Sequence, residues 1–403
     1  MLGVIVYTLG RGSETYIARH IDELAPGRTV VCSLAPCERP SWAPRAPALE
    51  LHAPRRRAVR ALRRLLQPSA ASVLRLDRAR LAIWLIKNDV KVVLCEYLQV
   101  AVSIIDVCRA LRIPVVAHAH GYDITALPRQ PGWRERYARV LPLMDEIVVV
   151  SDDMRRKVLA FGVDPKRVHV IACGTVVPAA AAAEIRDTRK TRYKALAVGR
   201  LMPKKGPIYL LEAFRLIRQS VDTIELFVIG DGPLREAMSQ FIDATGLGSV
   251  VHLLGPLPND QVRAHLRDSD LFLQHSVTAE DGDEEGLPVA ILEAMAESVP
   301  VVSTAHAGIP EIVRDGVTGF VVAPGDSRAM ARRSLELLAD EGFRSRIRIA
   351  ARRLVCDEFT TDREYLRLRG VLAKYWPDCG ERTGDSSSAN ATEPLEVSVS
   401  RTA

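Results

Sequence analysis

The chain has 403 residues, of which 48% are hydrophobic and 26% are charged, and its formal net charge is +6. This length indicates two or three domains, and the apolar content is ample for buried α/β cores. No segment approaches the roughly 20 apolar residues that span a bilayer, and the N-terminal MLGVIVYTL lacks the basic start and cleavage site of a signal peptide. We therefore expect no membrane span and a buried first strand.

Short β-branched runs alternate with helical stretches along the chain, which is the pattern of parallel βαβ units. In the first half, strands are predicted at residues 3–8, 29–34, 91–95, 114–118, 146–150 and 168–171. Helices are predicted between them at residues 13–24, 71–87, 100–111 and 152–161. Residues 174–191 break this rhythm with Val-Pro and a run of alanines, which indicates a linker.

A second series of the same kind begins at Lys194. Its strands are predicted at residues 195–199, 224–229, 250–253, 271–274, 301–303 and 319–322. Its helices are predicted at residues 208–218, 234–244, 259–267, 286–297 and 327–339, and residues 342–375 are helical without a further strand.

The two series predict an α/β protein with two Rossmann-like, doubly wound parallel sheets that face a cleft. We place the first domain at residues 1–175, the linker at 176–193 and the second domain at 194–358. A helix at 359–376 is expected to return to the first domain, and the Ser/Thr-rich residues 377–403 are expected to be disordered. Because such sheets bind ligands at the carboxyl ends of their strands, the cleft is the predicted active site.

The cysteines are scattered, odd in number and form no C-x-x-C pair; they are Cys32, Cys37, Cys95, Cys108, Cys173, Cys356 and Cys379. This usage is typical of reduced thiols in a cytoplasmic protein.

An arginine-rich stretch at residues 55–64 interleaves six arginines with apolar residues, and Arg75, Arg78 and Arg80 follow it. It can lie on an anionic membrane surface, at the inner face of the cytoplasmic membrane, or it can be an exposed helix. Nucleic-acid binding is not predicted, since no recognised motif accompanies the arginines.

Two glutamates, Glu285 and Glu293, bracket the apolar run that is predicted to form the helix at 286–297. A carboxylate at a helix N-terminus is favourable, whereas Glu293 lies among apolar residues and needs a polar partner. Eight helical residues span about 12 Å, which is about the distance from the sugar to the ribose in a nucleotide-sugar. A capping glutamate beside a salt-bridged one would give the same spacing, so the pair alone does not assign a function.

Glycine-rich turns with cations follow the first strands of the second series. Arg200 and Lys205 lie at a strand–loop–helix junction, where an anion would bind; an ordinary surface loop is the alternative. Gly230 begins a tight GDGP turn, for which a structural role is favoured. Near the N-terminus, Gly10-Arg11-Gly12 does not complete a G-x-G-x-x-G motif.

Two histidines, His118 and His120, lie at the end of the fourth strand, on the edge that faces the cleft. We expect the ring of His118 to hydrogen-bond to the backbone, and His120 to hydrogen-bond a sugar hydroxyl or a departing phosphate.

Asp281 and Asp283 resemble the start of an EF-hand loop, but the twelfth position of that loop is Leu292, which cannot supply a carboxylate. We predict no cofactor and no obligatory metal, with cationic side chains supplying the positive charge.

In this order, the motifs resemble those of the large retaining glycosyltransferase family 4, which has the two-domain GT-B fold. The matching segments are SETYI after the first glycines, HAHGYD, VGRLMPKKG, VIGDGPLRE, EEGLPVAILEAMA and HAGIPEIVRDGVTGF. They cover nearly all of the chain up to about Pro377, and the first loop is similar to that of enzymes that build exopolysaccharides such as colanic acid. Two departures, Thr175-Val176 after Gly174 and the Arg11 between Gly10 and Gly12, bear on the exact substrate.

This resemblance implies a nucleotide-sugar donor in the second domain and an acceptor in the first. Arg200 and Lys205 would neutralise the leaving diphosphate, Glu293 would bind the ribose, and Glu285 would hold sugar hydroxyls. His120 would lie by the donor sugar near the acceptor. The implied donor-binding residues are Gly12, Arg200, Lys205, Gly230, Glu285, Gly286, Leu287 and Glu293, and the implied catalytic residues are His120, Glu285, Arg200 and Lys205.

The predicted reaction is transfer of a hexose from a UDP- or GDP-sugar to a saccharide or polyprenyl-linked saccharide acceptor, with retention of anomeric configuration. A nucleotide-sugar epimerase or hydrolase on the same fold is one alternative, and it would turn over the donor without an acceptor. A non-catalytic GT-B partner subunit is the other, and it would tend to lose the charged cleft residues.

Overall fold

The computed structural model describes residues 1–10, 14–35, 43–51, 70–179 and 192–379. The arginine-rich stretch at 55–64, Gly12, Cys37, residues 180–191 of the linker and residues 380–403 lie outside this part of the chain, so the predictions made for them remain predictions.

The first sheet has seven parallel strands in the spatial order β3-β2-β1-β4-β5-β6-β7. They are β1 Leu2–Val6, β2 Thr29–Ser33, β3 Ala48–Glu50, β4 Val92–Glu96, β5 Val115–Ala119, β6 Glu146–Val149 and β7 Val168–Val170. Strands β1, β2, β4, β5 and β6 are buried along their whole length, since helices cover both faces of a parallel sheet. The chain reverses its winding between β1 and β4, which is where doubly wound sheets bind ligands.

The helices of this domain are α1 Thr15–Glu23, α2 Ala70–Lys87, α3 Leu98–Ala110, α4 Tyr122–Thr125, α5 Trp133–Val140 and α6 Asp152–Leu159. Ser151 caps α6 by accepting a hydrogen bond from the amide of Met154, and two aspartates occupy its first turn. Both features stabilise a helix start at this point. As a result α6 begins directly after β6, at the carboxyl edge of the sheet.

The second sheet has six parallel strands in the order β10-β9-β8-β11-β12-β13. They are β8 Tyr193–Val198, β9 Ile224–Ile229, β10 Val251–Gly255, β11 Leu271–Leu273, β12 Val301–Thr304 and β13 Phe320–Val322. The helices are α7 Pro207–Ser220, α8 Arg235–Thr245, α9 Asn259–Arg267, α10 Val289–Ala296, α11 Ile309–Ile312, α12 Ser327–Ala339 and α13 Glu341–Glu358. The switch point of this sheet lies between β8 and β11.

The last helix, α14 Thr361–Leu372, returns to the first domain. Leu368, Val371 and Leu372 share one buried cluster with Leu2 and other residues of the first sheet. Thr360 pairs with Thr175 as an isolated parallel bridge just before this helix begins. The predicted return of the C-terminal helix is therefore confirmed, together with the two doubly wound sheets.

One predicted helix begins in the wrong place. The helix predicted at 286–297 starts only at Val289, and Pro288 is its extended N-cap residue, with φ −74° and ψ 109°. A proline suits a helix start but disfavours helical geometry in the residue before it. Residues 285–287 therefore form a loop in front of α10, and neither Gly286 nor Leu287 lies at the helix N-terminus itself.

Short elements were not predicted. They are β3, α4, α5 and α11, with three to eight residues each, and periodicity is not informative over such lengths. Within the described residues, no helix is both long and apolar enough to cross a bilayer. The six cysteines among these residues are unpaired, and all but Cys356 are buried.

Candidate active site

The carboxyl edges of the two sheets meet through backbone contacts at three glycines. A Cβ atom at Gly286 would lie 2.5 Å from the carbonyl oxygen of His120, and one at Gly121 would lie 3.2 Å from the amide nitrogen of Gly286. A Cβ atom at Gly308 would lie 2.5 Å from the carbonyl oxygen of Gly286 and 2.7 Å from Cβ of Ser151. Side chains at these positions would hold the domains apart, so glycine brings the loop with Glu285 against the strand end with His120.

Polar contacts join the domains beside these glycines. Lys157 of α6 pairs with the carboxylate of Glu284, whose amide donates a hydrogen bond to Oγ1 of Thr125 at 3.2 Å. Glu311 from the second domain accepts a hydrogen bond of 3.0 Å from the amide of Asp152 at the start of α6. A carboxylate is favourable at a helix N-terminus, so Glu311 fastens the second domain to the first.

Glu285 and Lys205 form an ion pair in the cleft. Oε1 of Glu285 lies 2.9 Å from Nζ of Lys205, and the glutamate is 6% exposed. Burial alone would raise the pKa of Glu285, but Lys205 and Lys204 outweigh it and hold the pKa below its ordinary value. Within the described residues, Oε1 has no partner of hydrogen-bond geometry. The cleft thus contains a buried, ionised carboxylate whose Oε1 lies next to Nζ of Lys205.

Lys204 is buried behind this pair. Its Nζ donates hydrogen bonds to Oδ1 of Asp283 at 3.0 Å and to the carbonyl oxygen of Glu284 at 3.1 Å. Oδ1 of Asp281 accepts from the amide of Asp283. Lys204 therefore neutralises Asp283 and holds the acidic loop in place, so that the two aspartates do not present two free carboxylates to a cation.

Glu293 lies on α10 with 9% exposure, and its pKa is raised by burial although Arg263 and Asn259 act in the opposite direction. Nδ2 of Asn259, at the start of α9, donates a hydrogen bond of 3.2 Å to Oε1 of Glu293. This is the kind of polar partner that a glutamate among apolar side chains requires. Asn259 was not singled out in the sequence, since it belongs to a different helix.

Further buried polar atoms without partners lie around the cleft. Within the described residues, Oε1 of Gln274, Nδ1 of His275 and Nδ1 of His306 make no hydrogen bond. They follow β11 and β12, at the edge that bears Glu285. Nε2 of His275 accepts from the amide of Gly325 at 2.8 Å, so the neutral ring has its proton on Nδ1. Buried polar groups are seldom left unpaired, and a polar ligand at this edge would complete their hydrogen bonds.

Arg200 is exposed at the end of β8, and a crevice beside it is lined by Gly199, Lys205 and Gln274. Gly230 has φ +131°, and a side chain there would overlap the carbonyl oxygen of Gly199. The structure therefore brings Arg200, Lys205 and Glu285 to one edge, whereas Gly230 supports the turn next to it. Leu287 is buried with 8% exposure.

His120 lies on the facing edge in a polar pocket. Its Nε2 is 2.7 Å from Oε2 of Glu96, and its ring lies 4.5 Å from that of Tyr16 and 5.0 Å from that of Tyr97. Tyr97 has φ +76°, an uncommon conformation for a non-glycine residue that often occurs at functional sites. These three partners were missed in the sequence, although Glu96 and Tyr97 end the strand beside His118 and His120 and could have been found from that adjacency.

The prediction for His118 is wrong. This residue is fully buried, and neither ring nitrogen has a hydrogen-bond partner among the described residues. Its Nδ1 lies 3.3 Å from Oε2 of Glu96 without hydrogen-bond geometry, and its ring lies 4.1 Å from that of His120. The alternation of β5 points His118 into a cluster of side chains, away from backbone acceptors. Burial and the neighbouring His120 lower the pKa of His118 to about 4, so the ring is neutral.

Two protein families match the chain in succession. Glycosyltransferase Family 4 matches residues 10–177, and Glycosyl transferases group 1 matches residues 181–354. The amylovoran biosynthesis glycosyltransferase AmsK of Erwinia amylovora is 32% identical over 255 residues, which are 63% of this chain and 62% of that protein. The putative colanic acid biosynthesis glycosyltransferase WcaL of Escherichia coli is 33% identical over 53% of this chain and 52% of its own length. The matched part thus spans between half and two thirds of these relatives.

Among solved structures, Anabaena Alr3699/HepE in complex with UDP and glucose superposes with a TM-score of 0.70. It covers 93% of this chain and 100% of its own, at 18% sequence identity, which is a likeness of fold. With the two family matches in tandem and two parallel sheets that face one cleft, the chain belongs to the family 4 glycosyltransferases and has the GT-B fold.

Proposed function

We propose that this protein transfers a hexose from a UDP- or GDP-sugar to a saccharide or polyprenyl-linked saccharide acceptor, with retention of anomeric configuration, in polysaccharide or glycoconjugate biosynthesis. The single observation that favours this function is the Lys205–Glu285 pair, which places a cation and an ionised carboxylate side by side at the switch-point edge. A nucleoside diphosphate sugar has the matching groups, an anionic diphosphate next to sugar hydroxyls.

In this proposal Arg200 and Lys205 stabilise the diphosphate as the bond from the anomeric carbon to phosphate breaks. The acceptor oxygen attacks from the same face, and its proton passes to the departing phosphate oxygen. Glu285 binds sugar hydroxyls and does not act as a nucleophile, since its charge is compensated by Lys205. Glu293 binds the ribose, and His120 lies on the acceptor side. Arg200 and Lys205 supply the positive charge that a metal ion would otherwise supply to the diphosphate, so no divalent cation is required.

The function is tested by incubating the purified protein with a panel of UDP-, GDP- and ADP-sugars in EDTA, with and without saccharide acceptors. We expect one donor to raise the midpoint of thermal unfolding, and an α-linked product to form from an α-linked donor only when an acceptor is present. NMR of the product's anomeric proton reports the configuration. Donor turnover at full rate without any acceptor would favour a hydrolase or an epimerase, and an inverted product would overturn retention.

Replacement of Lys205 by alanine removes the cation next to the leaving diphosphate and leaves Glu285 with a weaker counter-charge. We expect kcat to fall by about 10²–10³-fold and the Kd of the free nucleoside diphosphate, measured by isothermal titration calorimetry, to rise. Lys166→Ala is the control, because this exposed lysine precedes β7 at the opposite edge of the first sheet. Equal activity of the two variants would contradict the role of Lys205.

Glu285→Gln separates sugar binding from nucleotide binding. Loss of a charged hydrogen-bond acceptor is expected to lower kcat roughly 10–100-fold. The Kd of the free nucleoside diphosphate should stay the same or fall, because Lys205 loses its competing carboxylate. Glu225→Gln, on β9 and paired with His252, is the matched control. A Glu285→Gln variant with weak nucleotide binding and normal turnover would contradict the proposal, because Glu285 would then contact the nucleotide and not the sugar.

We further propose that the arginine-rich stretch at 55–64 brings the enzyme to an anionic membrane surface, where a polyprenyl-linked acceptor would be found. The support is the sequence pattern of six arginines among apolar residues. In a flotation assay, more protein should be recovered with liposomes that contain phosphatidylglycerol than with neutral liposomes. Replacing the six arginines by glutamine should abolish this difference. Equal recovery on both liposomes would contradict membrane contact.

A further inference from the structure

A continuous chain of buried hydrogen bonds runs from the C-terminal helix to His120. Glu364 of α14 accepts from the amide of Gly174 at 2.9 Å and lies 2.8 Å from Nε2 of His20. Nδ1 of His20 lies 2.7 Å from Oε1 of Glu96, and Oε2 of the same carboxylate lies 2.7 Å from Nε2 of His120. The chain thus joins α14, α1, the end of β4 and the cleft edge of β5.

The charge states of the residues in this series of hydrogen bonds are determined by their burial and by their ion-pair partners. His20 and Glu96 are fully buried, and Glu364 is 3% exposed. Burial by itself would lower the pKa of His20, but the two carboxylates outweigh it and raise the pKa to about 10. Burial would raise the pKa of Glu96 and of Glu364, yet His20 is the main partner that holds both below their ordinary values. His20 is therefore an imidazolium that donates to two carboxylates at neutral pH.

We propose that Glu96 is a positioning residue that holds His120 as the tautomer with its proton on Nε2, and that His20 and Glu364 keep Glu96 ionised for this purpose. An ionised carboxylate can only accept, so Nε2 of His120 must donate to it. In that tautomer the lone pair of the His120 ring is on Nδ1, as an acceptor for a substrate hydroxyl. The inference rests on the proposed transfer reaction, in which His120 lies by the donor sugar, and it makes α14 part of the active site.

Other ionisable groups face this network, and two of them, His118 and Cys173, also approach its carboxylates. Arg19 donates to the carbonyl oxygen of Gly174 and helps to lower the pKa of Glu364. Cys173 is a buried thiol whose pKa is raised by burial and by both carboxylates, so it is neutral. Further groups around the network are His118, Tyr16, Tyr97, Glu14 and Asp123, together with Tyr365 and Cys95.

The same side chains include two groups whose ligand atoms lie within 4.8 Å of one another, His20 with Glu96 and His118, and His118 with His120 and Cys173. Both nitrogens of His20 and both oxygens of Glu96 are already engaged in the hydrogen bonds described above. A metal at the first group would have to break that chain. The positioning role that we propose for Glu96 requires no change in these hydrogen bonds.

The first test observes the wild-type protein by NMR of imidazole nitrogens after selective ¹⁵N-histidine labelling, with His20→Gln and His120→Gln samples for assignment. We expect His120 with its proton on Nε2 at pH 7.5, and His20 protonated on both nitrogens until the pH approaches about 10. His120 with its proton on Nδ1, or a neutral His20 at pH 7.5, would overturn the proposal. This readout does not need turnover, so it remains valid if the protein proves not to be a transferase.

The second test compares Glu96→Gln and Glu364→Gln with Glu358→Gln, an exposed carboxylate that pairs with Arg367. Glu96→Gln should lower kcat at least roughly tenfold with the Kd of the nucleoside diphosphate unchanged within twofold. Glu364→Gln removes one of two carboxylates that stabilise the imidazolium, so the alkaline limb of kcat/KM should move to lower pH. Glu358→Gln should match wild type, and a Glu364→Gln profile that also matches wild type would contradict the proposed coupling.

Discussion

The close approach of Gly286 to the carbonyl oxygen of His120 is the constraint on which the site depends. The same loop bears Glu285 one residue earlier, and it is held from behind by Lys204 and Asp283. Because no side chain separates the two backbones, the carboxylate of the second domain and the histidine of the first lie on opposite walls of one narrow cleft. Gly121 and Gly308 extend this contact on either side, so the two doubly wound sheets share a single functional edge.

Buried charges on both walls of the cleft are compensated by specific partners. On the second-domain wall, Nζ of Lys205 lies 2.9 Å from Oε1 of Glu285 and keeps this glutamate ionised. On the first-domain wall, His20 keeps Glu96 ionised, and Glu96 in turn orients His120. A buried ion pair adds little to stability by itself. We infer that both pairs instead fix the charge and direction of groups that meet the substrate.

The sequence was sufficient to predict two doubly wound domains, because short β-branched runs alternate with helical stretches along the chain. It also predicted that Glu293 needs a polar partner. It could not predict which partner, since Asn259 belongs to another helix and approaches only through packing. Likewise, Glu364 reaches His20 across 344 positions of sequence, a contact that no local spacing reveals. The start of α10 was predicted three residues too early because the apolar pattern continues through residues 286–288, although Pro288 disfavours helical geometry in the residue before it. The prediction for His118 was wrong because its neighbours come from β4, β5 and α1, which are distant in sequence.

In the function that we propose, the cleft between the two sheets binds a nucleoside diphosphate sugar across the Gly286 contact. A crystal structure with an unhydrolysable donor analogue tests it most directly. We expect the diphosphate beside Arg200 and Lys205, the ribose at Glu293, and the sugar between Glu285 and His120. A nucleotide bound at the switch point of the first sheet, between β1 and β4 and away from Lys205, would contradict it.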